Sequence, residues 1–418
     1  MIKRFRLIIL AALILRIFLS FLTWHPDVNN HVDWGIRFWQ YGAKDYYSAN
    51  VWSYTWPNQP PGTIYIYAGI TKLYDFVFSI FWWINLKIPL FPSDVIFYLE
   101  SNLYPALLKL PSMLADLGIA YLIYKSVADK KIARFGVVLW LVNPIVWYNS
   151  SLWGQTDSLI AFFVFLAFYL LKKNKPELSL LSYALSVYIK VSLLIFIPIY
   201  VYLFIKEKYK PTIYVKSVIL VLLVVVGLTV QFAKGNPLVW LYDLYQNKIF
   251  AQQLQVITAN AFNIWTTIAS IHEKPQTLYL GPLTYRMWGT LSFILSYLVL
   301  IFFFIKSKAK DVYFTLSLIA FSSFMLMTNM HERYLYPFFP FFTAVTVSNK
   351  KLLKVYIIVS IISLLNLYNF WWYPKISFIV GFLSFSDRLM PRILGFVMFL
   401  IYLYLFKLFL RQTRTSKI

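Results

Sequence analysis

The chain has 418 residues, of which 60% are hydrophobic, 20% aromatic and 13% charged. A soluble domain carries about twice that charge and shorter apolar runs, so repeated apolar runs with Lys and Arg between them exclude a soluble fold and read as transmembrane helices. The net charge of +23 sits in short clusters between those runs rather than in one aromatic-spaced patch, which excludes a nucleic-acid groove. The absence of cysteine excludes disulfides, thiolate nucleophiles and Cys-based metal sites.

Twelve spans, within a range of 10 to 13, are expected at about 7–23, 101–124, 132–148, 153–171, 178–190, 191–205, 212–232, 286–305, 312–329, 335–347, 353–372 and 392–410. The expected fold is a single all-α polytopic membrane domain over 1–418. Met1 to Thr23 is similar to a signal peptide but lacks a small-x-small cleavage site before Trp24, so an uncleaved first helix is expected. Seven basic clusters then fall on one side: Lys3-Arg4-Arg6, Lys125 to Arg134, Lys172 to Lys175, Lys206 to Lys210, Lys306 to Lys310, Lys350 to Lys354 and Lys407 to Lys417. The positive-inside rule makes that side, and both termini, cytoplasmic. Counting residues 64–84 as a span would invert the clusters downstream. Lys72 and Asp75 interrupt that run, so it is read as helices lying in the outer interface. Residues 178–205 are expected to form a helical hairpin.

The polar, aromatic sequence then collects in three extracytoplasmic loops, 24–100, 233–285 and 373–391, and the chemistry is expected there. Asp27 leaves the first span in Trp24-His25-Pro26-Asp27, with His31, Asp33 and Trp34 following. A partly buried carboxylate there is a general-base candidate, a divalent-cation ligand together with Asp33, or a solvated helix cap. Trp52, Tyr54 and Trp56 suit sugar faces, and suit a membrane-interface belt better. Asp116 sits inside a span and needs a partner, either as a hydrogen-bond hub or as a site residue. Gln155 and Asp157, in Trp153-Gly154-Gln155-Thr156-Asp157-Ser158, suit ligand hydroxyls or a helix N-cap. Lys190 is alone among apolar residues and either snorkels or neutralises an anion. His331-Glu332-Arg333-Tyr334 is not a zinc motif, since the second histidine is missing. His331 and Arg333 suit a phosphate, and a salt-bridged helix end is the plainer alternative. Asn260 and Asn263 offer carboxamides for carbohydrate hydroxyls or belong to an interfacial helix.

In this order, His25-Pro26-Asp27, Pro60-Pro61-Gly62, Leu108-Lys109-Leu110-Pro111, Ala115-Asp116, Asn143-Pro144, Trp153 to Ser158, Lys190, Asn260 to Trp265 and His331 to Tyr334 resemble the GT-C superfamily of lipid-linked-sugar glycosyltransferases. The nearest resemblance is to prokaryotic relatives of the second mannosyltransferase of GPI-anchor assembly. The dolichol-linked glucosyltransferases are more distant. Gln59 stands where that pattern has Tyr, and Val191 where it has Pro or Gln. The resemblance implies a polyprenyl- or dolichyl-phosphate sugar donor, a glycolipid, polysaccharide or protein acceptor, inversion, and no metal or nucleotide cofactor. It selects Asp27, seven residues before Trp34, as the base. It implies Lys190, His331 and Arg333 at the donor phosphate. Asp33, Trp34, Gln155, Asp157, Asn260, Asn263, Glu332 and Tyr334 would line the substrates. The rival expectations are a flippase or transporter of lipid-linked saccharide and a non-catalytic subunit of envelope polysaccharide assembly. Rich Lys, Ile, Tyr and Asn usage points to an AT-rich genome and so to a prokaryotic plasma membrane.

Overall fold

Apolar runs become helices wherever proline and glycine allow it. The computed structural model describes residues 2–251, 253–269, 274–307 and 311–415, so Lys308, Lys310 and Lys417 of the basic clusters lie outside the described residues. The chain is an all-α polytopic membrane protein. Its strands are two-residue pairs, Thr258–Ala259 with Met330–His331 and Tyr279–Leu280 with Leu283–Thr284.

Six helices among the described residues are long and apolar enough to cross a membrane, or up to eight if each of two bent pairs is one span. The expected count of about twelve is not reached by this measure. Several expected spans fall short of the ~20 residues that a ~30 Å hydrocarbon core requires. Asp157–Lys172 has 16 residues and Pro176–Ile189 has 14. The expected interfacial segment 64–84 is one unbroken 27-residue helix, Pro61–Lys87, and it passes the length and hydropathy test for a span. Asp27–Asp45, expected as loop, is also helical, with apolar residues on one face. The segment 373–391, expected as an outer loop, is largely helix too: Ser377–Thr415 is broken at Phe385–Arg388, where Ser386, Asp387 and Arg388 take positive φ.

The chain forms two compact units, each made of three separate stretches. The first comprises residues 1–122, 147–194 and 203–252, and the second comprises 123–146, 195–202 and 253–418.

In the first unit, Asp157–Lys172 turns at Asn174 (φ +54°) into Pro176–Ile189. Ser179, Ser182 and Ser186 share one helix face, and their hydroxyls donate to the carbonyls of Ala167 (2.7 Å), Phe163 (2.8 Å) and Ile160 (3.1 Å). Small hydroxylated residues let two backbones approach where lipid offers no hydrophobic drive between helices. An aromatic cluster centred on fully buried Phe232 joins Phe38, Tyr46, Tyr47, Tyr65 and Trp240. Asp116 is a hydrogen-bond hub: it accepts from Arg16 Nε (3.0 Å), Ser150 (2.7 Å) and Ser158 (2.5 Å).

In the second unit, Val312–Leu326 and Phe338–Ser348 are apolar and buried on nearly every face, as central helices must be. A hydroxyl triad of Ser296, Ser322 and Tyr402 ties neighbouring helices together. Asn143 donates to Tyr356 (2.7 Å) and Ser360 (3.0 Å).

Candidate functional site

In the first unit the site is assembled around the start of Asp27–Asp45. Pro26 precedes that helix, and the Asp27 carboxylate lies in its first turn, where the helix dipole favours an anion. The approach is fixed from both ends. The His25 amide donates to the Trp153 carbonyl (3.2 Å), and the His25 ring stacks on Trp153 at 4.3 Å. His25 Nδ1 accepts the Asp27 amide at 3.2 Å and lies 3.4 Å from Asp27 Oδ1.

The partner of Asp27 comes from a widened turn. Residues Tyr148–Trp153 form a π-helix, which inserts extra backbone per turn and recurs at functional sites. Gly154 ends it at φ +88°, a left-handed conformation that glycine adopts without steric cost. The amides of Gly154 and Gln155 then both donate to the Asn149 carbonyl at 3.1 Å. Ser112 donates to the Gln155 carbonyl at 2.6 Å, and the Gln155 side-chain Nε2 donates to Asp27 Oδ2 at 2.7 Å. Asp27 itself remains 35% exposed, so its carboxylate is held and still accessible.

Two residues beyond Gln155, Asp157 accepts from Lys190 Nζ at 2.9 Å, with both side chains nearly buried. Lys190 is extended (φ −156°) and breaks the helix after Ile189. Its position is set by Pro60-Pro61-Gly62-Thr63: Thr63 donates to the Ile189 carbonyl (2.5 Å), and a Cβ on Gly62 would lie 2.6 Å from the Tyr188 carbonyl oxygen. Beside this break is an apolar cavity of about 430 Å³, lined among others by Gly62, Tyr65, Pro111, Phe163, Tyr188 and Ile189. One turn beyond Asp27, His31 stacks on Tyr67 at 4.4 Å.

Asp33 and Trp34 face inward to the fold. Asp33 accepts from Arg37 (2.6 Å), the Ser53 amide (2.9 Å) and the Ser53 hydroxyl (3.1 Å). Trp34 is buried and donates to the Thr55 carbonyl at 2.8 Å. Both residues fasten the segment 52–55 to the helix.

The second unit carries the other group. Thr258–Ala259 pairs with Met330–His331, and Asn260 (φ +62°) bridges to His331. Asn260 exchanges hydrogen bonds with Asn369 (2.6 Å between side chains, 3.1 Å to the carbonyl), and Asn366 donates to the Asn260 carbonyl at 2.5 Å. Asn263 caps the short helix Ile264–Ile268 and donates to the Phe324 carbonyl at 3.1 Å. Both carboxamides are therefore engaged by the fold, and a ligand would have to displace these partners. Beyond the strand, Arg333 donates to Glu332 at 2.6 Å, His331 Nδ1 lies 4.0 Å from Glu332, and both His331 and Arg333 pack against the Tyr334 ring. Among the described residues no group of three or more His, Asp or Glu side chains is arranged to hold a metal ion.

The residues missed by sequence reasoning are His25, Trp153 and Tyr67. His25 stood inside the motif containing Asp27, so a signal existed. Trp153 likewise stood inside the motif Trp153 to Ser158, but its contact with His25 crosses 128 positions of sequence, and Tyr67, whose contact with His31 crosses 36, carried no signal.

No family model matches the chain. Over 172 residues, 38% of its length, the chain is 27% identical to GPI mannosyltransferase 1 of Kluyveromyces lactis, covering 40% of that protein. Over 108 residues it is 33% identical to GPI mannosyltransferase 1 of Dictyostelium discoideum, covering 24% of each chain. The matches thus span less than half the length of these relatives. They carry the name of the first GPI mannosyltransferase, where the motif pattern pointed to the second.

Proposed function

We propose that this chain is a mannosyltransferase-type glycosyltransferase of GT-C kind, using a polyprenyl- or dolichyl-phosphate mannose donor and inverting the anomeric centre. The reading is carried by one observation: Asp27, still accessible, is held by Gln155, two residues before Asp157 of the nearly buried Asp157–Lys190 pair. The names of the partial relatives support the sugar. The apolar cavity beside Lys190 suits a lipid tail.

Asp27 takes the proton of an acceptor hydroxyl. The acceptor oxygen forms its bond to the anomeric carbon as the bond from that carbon to the phosphate oxygen breaks, and the lipid phosphate leaves with the electron pair. Lys190 meets the growing charge. In the second unit, His331 and Arg333 form a separate cation group with a proposed role in phosphate binding. The acceptor is a glycan or glycolipid, and the reaction belongs on the extracytoplasmic face of a prokaryotic plasma membrane.

The test is transfer from polyprenyl-phosphate mannose to a glycolipid acceptor by purified protein in lipid. General-base removal typically costs about 10²–10⁴-fold, so Asp27→Asn should lose that much turnover while retaining the wild-type melting profile. Near wild-type turnover would remove Asp27 from the role. Lipid movement across liposomes without a new glycosidic bond would replace the whole reading with a flippase.

A further inference from the structure

A second cavity of the first unit, about 240 Å³, is walled by Lys44, Lys234, Lys248, Asp243, Asn247 and Trp240 among others. It is remote from the candidate base. Lys44 lies two residues past the helix break at Gly42, and Gly42 is itself 15 helical residues from Asp27, about 22 Å at ~1.5 Å per residue. The transferred sugar cannot bridge that distance, so whatever binds here is not at the reacting bond.

The walls are held in place. Trp240 stacks on buried Phe232 at 6.1 Å and meets Tyr47 edge-on at 5.7 Å. Lys248 Nζ donates to the Tyr47 carbonyl at 2.6 Å and lies 5.7 Å from the Trp56 ring. Asn247 and Lys248 come from a second π-helix, Tyr245–Phe250, another widened turn of the kind that recurs at functional sites. Lys234 pairs with Asp45 at 2.5 Å, and that pairing holds the Asp45 carboxyl below its ordinary range. Among the described residues, neither Lys44 nor Lys248 has a carboxylate within ion-pair distance. Three lysines therefore line the pocket with one carboxylate, Asp243, while a second, Asp45, pairs with Lys234 alone, and a carboxamide and an indole stand beside them.

An indole offers an apolar sugar face its platform. Lysines offer phosphate point charges. We infer that this pocket binds a phosphate-bearing saccharide, with the phosphate toward Lys44 and Lys248 and the sugar against Trp240 and Asn247. The phosphate can belong to a soluble glycan or to a lipid headgroup.

The experiment is calorimetric titration of the full chain in phosphatidylcholine nanodiscs with mannose 6-phosphate and with mannose. Charge-assisted hydrogen bonds predict mannose 6-phosphate binding about tenfold or more tighter than mannose, and a similar loss on Lys44→Gln/Lys248→Gln. Asp243→Asn removes a repelling charge and should tighten binding by about threefold, an outcome that misfolding cannot imitate. Repeating the titration in phosphatidylglycerol nanodiscs assigns the source: suppressed binding marks a lipid headgroup, and unchanged binding marks a glycan. Equal affinity for mannose and its phosphate, absence of binding by either, or no response to Asp243→Asn overturns the inference.

Discussion

Removing Lys190 separates a role in structure from a role in chemistry. Its ammonium lies 2.9 Å from the Asp157 carboxylate, with side-chain exposures of 10% and 4%. At that distance and an effective dielectric near 20 the attraction is about 6 kcal/mol, most of it offset by desolvating two ions. Lys190→Met strands a buried carboxylate and should cost about 3–5 kcal/mol of stability, and Asp157→Asn strands a buried ammonium at a similar cost. The double variant strands neither charge. It should be more stable than the sum of the single losses predicts by about 0.5–3 kcal/mol. Unfolding in mixed micelles gives the stabilities, and single-turnover transfer from the lipid-phosphate donor gives the chemistry. If Lys190 meets the leaving phosphate, the double variant regains stability and not turnover. Turnover that returns in step with stability would refute the argument and leave the pair purely structural.

Three further outcomes follow from the geometry. Asp116→Asn leaves Arg16, fully buried, without its anion and should cost about 3–5 kcal/mol in the same micelle assay, clearly more than Asp33→Asn, whose partner Arg37 is 20% exposed. Gly62→Ala forces a Cβ to within 2.6 Å of the Tyr188 carbonyl oxygen, two residues before Lys190, and should cost about 1–3 kcal/mol and lower transfer as well. The exposed Asp129 carboxyl is held below its ordinary value of 3.8 by the amides of Ile132 and Lys131, which it caps. A lowered folded pKa stabilises above the unfolded value and loses that effect as pH falls through the folded one. Melting of wild type and Asp129→Ala should therefore differ at neutral pH and converge progressively below pH 3.8.

The helices were legible because long apolar runs have few alternatives, and Asp116 was legible as a residue in need of a partner. That the partner is Arg16, 100 residues away, was not, because nothing local in either sequence marks the pairing. The same holds for Asp27 and Gln155, 128 positions apart. Residues 27–45 were read as loop because polar residues dominate them, yet Val28, His31, Trp34 and Phe38 recur at helical spacing and are buried. The carboxamides of Asn260 and Asn263 looked equally fit for sugar hydroxyls. Only the geometry shows them occupied by backbone and by Asn369. Composition reports that a polar group is present, and the fold decides whether it is already engaged.

The pairing of Lys190 with Asp157, repeated in Arg333 with Glu332, bears on how a reaction cycle ends. Under the proposed chemistry the spent lipid phosphate carries more charge on its oxygens than the donor did. A bare cation would hold that product more tightly than the substrate and stall the enzyme. A carboxylate already in contact with each cation is a tethered competitor, ready to reclaim it once the bond has broken. The pairs trade grip on the phosphate for its departure, so their removal should show first in product release, a step that often limits turnover.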